Sequence, residues 1–291
     1  MLNLDAYFER IGYEGPREPT LAVLREIQRL QSCAIPFENL DSFVGKLVRL
    51  DSGSIEKKLI DDKRGGYCFE LNTLLAEVLA LLGFGVTGLA GRVLWGVECN
   101  TPQPRTHMML QVRVNSTPYL VDAGFGVHTP TWPLRLIDAE PQRTPHGLFR
   151  LQRDQSEFVL EGRVAKAWKA LYRFGLETHT PADYRVYNWY LANHPASVFV
   201  SSLIVGRADA SCHLSLFNTR FWSRDEEKTL ESADIGSAEQ LHEILAGEFR
   251  LVLPATYDVN LLYTRAAEAQ AFATIASRRV VESRTPACGE R

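Results

Sequence analysis

Near residue 86 the hydrophobic period of the chain changes, and this change sets the architecture the sequence can adopt. Before it, apolar residues recur at helical spacing. Leu21, Val23, Leu24, Ile27 and Leu30 follow Thr20, a good N-cap. A second helical run starts behind Ser54. A third begins at or beside Cys68, places Leu71, Leu74, Leu75, Val78 and Leu82 on one face, and stops at Gly83. From about Val86 the period is two: "VTGLAGRVLWG", "HMMLQVRV", "YLVDAGFG", "LFRLQRD" and "SEFVLEGRV" are short, rich in β-branched or aromatic residues, and separated by turn residues. They read as an antiparallel sheet or small barrel.

A short helix interrupts at "TPADYRVYNWYLANHP", with Thr180 as cap, Pro181 at the first helical position and Asp183 favouring the dipole. Strands resume at "SVFVSSLIVGR" and "CHLSLFNTRFW". Ser237 and Gln240 then form a capping box, and an alanine-rich helix runs through "RAAEAQAFATIASRR". The expectation is an α+β fold in three parts: a helical bundle over 1–85, an antiparallel β-barrel or sheet over 86–195 ending in a connecting helix, and a mixed α/β lid over 196–291.

Composition narrows the partners. The 291 residues are 45% hydrophobic and 23% charged with a net charge of −3, so nothing electrostatic calls for nucleic acid or an anionic membrane. The N-terminal "MLNLDAYFERIGYEG" is an amphipathic helix, without the apolar core of a secretion signal. The apolar run "LLAEVLALLGFGV" is broken by Glu77 and falls short of a membrane span. A cytoplasmic protein is expected. Five cysteines (Cys33, Cys68, Cys99, Cys212, Cys288) form no CxxC pair, which suggests free thiols and neither a disulfide framework nor a metal site.

One of those thiols stands apart. In "RGGYCFELN" Cys68 opens a helix behind a glycine pair. A thiol attacks as thiolate, and a helix N-terminus favours negative charge while offering N–H donors to an oxyanion. Gly65 and Gly66 permit a tight turn and are expected to leave one side of the sulfur open.

A nucleophilic cysteine needs a base and a group that orients the base. His107 opens the strand "HMMLQVRV" on the face of Met109, Gln111 and Arg113, opposite the apolar face of Met108, Leu110, Val112 and Val114. Asp122 lies in the partner strand, a carboxylate costly to bury unpaired. If Asn115 and Ser116 form a two-residue turn, Val114 pairs with Thr117 and His107 stands opposite Gly124. Asp122 then becomes the diagonal neighbour of His107, with Cα atoms roughly 7–8 Å apart, and Gly124 leaves space for the ring. A three-residue turn without a bulge would instead put Asp122 on the opposite face.

At these residues the sequence resembles the arylamine N-acetyltransferases, through "IPFENLD" (35–41), "RGGYCFELN" (64–72), "THMMLQV" (106–112) and "YLVDAGFG" (119–126). The resemblance implies a papain- or transglutaminase-like Cys-His-Asp site between the first two parts, with Cys68 as acyl acceptor, His107 as base and Asp122 as orienting carboxylate. It implies two-step acetyl transfer from acetyl-CoA, through a thioester, to an arylamine or hydrazine of xenobiotic metabolism. Phe37 and Phe125 match aromatics flanking the acceptor site, and Gly126 a position giving the pantetheine arm room. Arg64, Glu38 and Asn72 are expected to brace the site. CoA binding rests on the resemblance, since no GxGxxG or P-loop occurs. A cysteine hydrolase, a transglutaminase-like enzyme or an amide synthase uses the same triad, and a binding protein with a vestigial triad is a further alternative. Oligomeric state is left open.

Overall fold

The computed structural model describes residues 2–97, 101–209, 212–225 and 228–283; Cys99 and Cys288 lie outside them. The helical start comprises α1 (Leu4–Ile11), α2 (Leu21–Ala34), the one-turn α3 (Leu40–Phe43), α4 (Ser52–Glu56) and α5 (Cys68–Leu81). The Thr20 hydroxyl accepts from Val23 N–H and caps α2. Gly83, at φ +86°, ends the α5 region in the left-handed conformation a glycine tolerates best. The second helical run starts earlier than the sequence suggests. Asp51, not Ser54, caps α4, its side chain accepting from Ser54 N–H at 3.0 Å, and the chain continues as a π-helical turn over Lys57–Asp61.

Eight strands follow as one antiparallel, nearly closed barrel-like sheet: β2 (Gly85–Val93), β3 (Arg105–Val114), β4 (Thr117–Val121), β5 (Leu134–Arg135), β6 (Gln142–Thr144), β7 (Gly147–Asp154), β8 (Glu157–Val164) and β9 (Ala167–Phe174). Their order is β5-β4-β3-β2-β9-β8-β7-β6. The two edges meet through one side chain: Gln142 of β6 donates to the Arg135 carbonyl and accepts from its N–H, at 2.9 and 2.7 Å. Helix α6 (Pro181–Asn193) is fixed at its start by Asp183, whose carboxylate accepts from Thr180 N–H at 2.8 Å.

The last part holds α7 (Val198–Ser201), β10 (Ile204–Ala208), β11 (His213–Phe217), β12 (Arg220–Arg224), β13 (Thr229–Asp234), α8 (Ala238–Gly247) and α9 (Val259–Ser283). "SVFVSSLIVGR" is therefore only half a strand. The Ser197 hydroxyl caps a helical turn, and the Asn39 amide donates to the Phe199 and Ser202 carbonyls, so the first half has partners as a turn that it would lose as a strand. Ser237 accepts from Gln240 N–H at 3.3 Å, but the Gln240 side chain reaches Gly236 N–H instead of closing a capping box. The second sheet runs β1-β10-β11-β12-β13, where β1 is Phe37–Glu38, a two-residue strand too short to show alternation in sequence. It carries the segment preceding α3 into the sheet of the last part.

Three hydrophobic cores result. One fills the helical start, a second the barrel, and a third lies between the last sheet and α8–α9. Strand β3 is the wall between the first two: Met108, Leu110, Val112 and Val114 pack on the helices, and Met109 packs inside the barrel. Both faces of β3 are thus covered as far as Val112, with Met109 as the one apolar residue on the face it shares with His107, Gln111 and the exposed Arg113.

Candidate active site

Cys68 is the first residue of α5, with Tyr67 as its N-cap. The helix is fixed at this end by Glu70, whose carboxylate accepts from Tyr67 N–H at 3.0 Å. Cys68 is 2% exposed, and its thiol lies 3.7 Å from the Thr106 carbonyl, placing the sulfur beside the start of β3 and next to His107.

The β3–β4 hairpin forms in the expected register. Val114 pairs with Thr117, Gln111 with Leu120 and Leu110 with Val121, around Asn115 and Ser116 at φ +48° and +65°, a two-residue turn whose twist matches the strands. The ladder stops at Val121, so His107 does not pair with Gly124, yet the diagonal contact is made: His107 Nε2 lies 2.7 Å from Asp122 Oδ2.

Asp122 is fully buried and its carboxylate has four partners. Oδ2 also accepts from the Tyr172 hydroxyl at 3.0 Å. Oδ1 accepts from Asn72 Nδ2 at 3.0 Å and Gly124 N–H at 2.8 Å. Burial opposes ionisation, but the charge of His107 and the bonds from His107, Asn72 and Gly124 hold the carboxyl below the usual carboxylate range. Burial likewise opposes a charged imidazole. The charge and hydrogen bond of Asp122, with the interaction of Cys68, outweigh it and push His107 up to about 10. The site therefore favours an imidazolium next to the sulfur.

Asn72 ties the helix to both strands: Nδ2 also donates to the Met108 carbonyl at 2.7 Å, and Oδ1 accepts from Ala123 N–H at 3.0 Å. The His107 ring packs against Phe125 and Tyr172, with centroids 4.9 and 4.7 Å away. Phe37 is 8% exposed in the same hydrophobic core as Cys68 and edge-on to Phe199, and a Cβ on Gly126 would come within 3.8 Å of its ring. Gly126 is at φ +62°, so backbone conformation rather than space calls for glycine there.

The glycine pair behaves differently from the expectation. Neither Gly65 nor Gly66 has positive φ. A Cβ on Gly65 would lie 2.2 Å from the Pro36 carbonyl oxygen, and one on Gly66 2.8 Å from the Glu70 carboxylate, so the pair lets the turn pack against β1 and the helix cap instead of clearing the sulfur. Gly124 gives room to Cys68 rather than to the His107 ring: a Cβ there would sit 2.7 Å from the Cys68 Cα.

Arg64 and Glu38 form a buried pair, with Nη2 and Nε 2.6 and 3.0 Å from Oε1, while Glu38 Oε2 accepts from Leu40 N–H at 2.6 Å. The pair belongs to a larger cluster that sequence reasoning missed. Lys58 Nζ meets Asp41 at 2.6 Å and Glu70 at 2.7 Å, and Tyr257 donates to Asp41. Burial pushes Glu70 up to about 7 against the opposing charge of Lys58.

Tyr172 and Gln28 were also missed. Nothing in "AWKALYRF" marks Tyr172. Gln28 did leave a signal: it occupies a buried position beside Leu24 and Ile27 where the helical period calls for an aliphatic side chain. Its Nε2 donates to the carbonyls of Asp122 and Pro130, at 3.1 and 2.6 Å.

A cysteine on a helix start beside a buried histidine–carboxylate pair on an adjacent hairpin has the residue types and placement that nucleophilic catalysis by a thiol requires. Comparison with known proteins narrows this. Residues 20–258 match the N-acetyltransferase family. The chain is 44% identical over 206 residues to the arylamine N-acetyltransferase of Mycobacterium tuberculosis, covering 69% of this chain and 73% of that protein. It is 36% identical over 249 residues to the arylamine N-acetyltransferase / N-hydroxyarylamine O-acetyltransferase of Salmonella typhimurium, covering 85% and 88%. The structure of the Mycobacterium marinum arylamine N-acetyltransferase in complex with CoA superposes with a TM-score of 0.88 at 35% identity, over 92% of this chain and 99% of that one. The chain belongs to the arylamine N-acetyltransferase family.

Proposed function

We propose that the protein transfers the acetyl group of acetyl-CoA to the nitrogen of an arylamine or hydrazine, through an acetyl thioester on Cys68. The observation that carries the reading is the 2.7 Å contact between His107 and buried Asp122, set beside a cysteine at the first position of α5. Asp122 occupies Nε2, so Nδ1 is the ring atom that exchanges protons with the reaction. The Cys68 thiolate attacks the acetyl carbonyl carbon, the carbon–sulfur bond to CoA breaks, and His107 gives its proton to the departing CoA thiolate. In the second step the amine attacks the acetyl-Cys68 carbon, His107 takes a proton from its nitrogen, and the Cys68 thiolate leaves. Each step makes and breaks one bond at the same carbon.

N–H groups of the first turn of α5 serve as oxyanion donors, and Phe125 and Phe37 flank the acceptor ring. In this reading the first 85 residues carry the nucleophile, 86–195 the base and its carboxylate, and 196–291 cover the site. Action on xenobiotic amines in the cytoplasm fits this chemistry. Among the described residues no helix is long and apolar enough to cross a membrane.

Mixing the protein with acetyl-CoA alone tests the proposal. One equivalent of CoA is released and a single acetyl group is found on Cys68, and an aniline then restores turnover. Continuous CoA release without amine identifies a hydrolase instead, and no adduct on Cys68 removes the thioester.

A further inference from the structure

A groove of about 920 Å³ runs between α5 and α6, and none of Cys68, His107 or Asp122 lines it. This is the size of a small-molecule site. Ala76 and Ala80 of α5, Val86 of β2, and Met108 and Leu110 of β3 supply apolar lining. Leu47 and Trp189, which also line it, remain 65% and 62% exposed, an unusual degree of exposure for two large apolar side chains facing one concavity.

The polar lining is lopsided. Both carboxylates are engaged by the fold: Glu77 accepts from the Ser52 hydroxyl at 2.6 Å, and Asp51 caps α4. The cationic groups are held less closely, and Arg49 acts on the Asp51 carboxylate through its charge alone. Arg49 and Arg185 are exposed and make no ion pair or hydrogen bond among the described residues. The Nε2 atom of His179, also in the lining, is buried without a partner. The groove thus presents apolar surface, two guanidinium groups at its solvent side and one buried ring nitrogen without a partner, which together suit a ligand with an apolar body and an acceptor head.

We propose that this groove is a second ligand site, which takes an amphipathic carboxylate such as a fatty acid, its chain over Ala76, Ala80, Met108 and Leu110 and its head on Arg49 or Arg185. A guanidinium binds a carboxylate through paired donors, and the chain gains by leaving water. The site is in contact with the reaction machinery without being part of it. Met108 follows His107 and offers its carbonyl to Asn72, Thr73 follows Asn72, and Asn188 accepts from the hydroxyl of Tyr67, the cap preceding Cys68.

Calorimetric titration of the whole protein with laurate below its micellar range tests this, alongside dodecyltrimethylammonium, which has the same chain and the opposite charge. Saturable binding of one laurate is expected, weakened about tenfold by the double variant R49A/R185A, the weight of a charge-assisted contact, and abolished by Ala80→Trp, which fills the groove from an exposed position. Equal binding of the cationic amphiphile overturns the proposal, as does laurate binding that survives both variants. Absence of laurate binding also overturns it. A concentration-dependent dimer that laurate leaves intact and Ala80→Trp disperses would assign the groove to a second copy of the chain instead.

Discussion

The Tyr172 hydroxyl donates at 3.0 Å to Oδ2 of Asp122, the oxygen that also meets His107. Its ring lies against the imidazole as well, so one side chain from β9 fixes both the carboxylate and the His107 ring. Tyr172→Phe keeps the ring and removes the donor. A hydrogen bond to a charged group is worth about 1.5–3 kcal/mol, so kcat is expected to fall by about 10- to 150-fold while KM for acetyl-CoA stays. Unchanged kcat would show that Asn72 and Gly124 suffice to hold Asp122.

Cys68 and Asp122 separate by the kind of loss they produce. Cys68→Ala should abolish acetyl adduct and turnover while leaving the fold, because in the proposed reaction the sulfur is the carrier. Asp122→Asn puts an amide where two donors converge, and misdirects the imidazole; the same exchange in a serine-protease triad costs about 10⁴ in kcat. Single-turnover release of CoA measures both. Near-normal release in Asp122→Asn would take Asp122 out of the mechanism.

The pH dependence of stability follows from His107. Its folded value of about 10 lies above the unfolded value near 6.5, so its contribution is fully present below 6.5 and is lost as pH rises through about 10. Asp122 acts in the opposite sense: its folded value is depressed, so its contribution is present above the unfolded carboxylate value and is lost on acidification. Thermal denaturation across pH is expected to show a fall in the midpoint between about pH 6.5 and 10 that the His107→Gln variant lacks. Parallel curves for the two proteins would mean the imidazole is neutral in the folded state.

The helix start at Cys68 and the hairpin register were legible because each rests on local chemistry. A glycine closes the α5 region, and a two-residue turn fixes which residues face one another. The reach from His107 to Asp122 followed from that register even though the ladder ends before it. What local reading could not supply came from distant segments. Tyr172 meets Asp122 across 50 residues, Tyr257 meets Asp41 across 216, and β1 pairs with a strand near residue 205. The glycines misled for the same reason. Which atoms Gly65, Gly66 and Gly124 make room for depends on what the fold brings against them, and this was Pro36, Glu70 and Cys68 itself.

Arg64 tests the cluster beneath the site. Its guanidinium is 4% exposed and binds a Glu38 carboxylate that is fully buried. Arg64→Met removes one partner of a buried pair and leaves the other's charge in the interior, a change that destabilises by about 3–5 kcal/mol. Lys58, 3.9 Å from the same oxygen, compensates in part, so the lower end is expected. Denaturant midpoints compare it with the double variant Arg64→Met/Glu38→Gln, which removes the stranded charge and should recover part of the loss. Recovery of nothing would mean that Arg64 acts through Tyr257, over which its guanidinium lies at 5.0 Å, rather than through Glu38.

Gln28 holds the two ends of one loop. Its single Nε2 donates to the carbonyls of Asp122 and Pro130, and between those points lie Gly124, Phe125 and Gly126. The other amide atom, Oε1, is buried without a partner, so the structural contribution of the amide at this place comes from its nitrogen. Gln28→Leu keeps much of the volume and strands two carbonyls, at about 1–3 kcal/mol for each left unsatisfied. Because Asp122 keeps four side-chain contacts of its own, the loss should fall on the remainder of the loop: the thermal midpoint drops and KM for the amine rises, while CoA release in the first half-reaction is nearly unchanged. Equal losses in both half-reactions would place Gln28 with Tyr172, as a support of Asp122 rather than of Phe125.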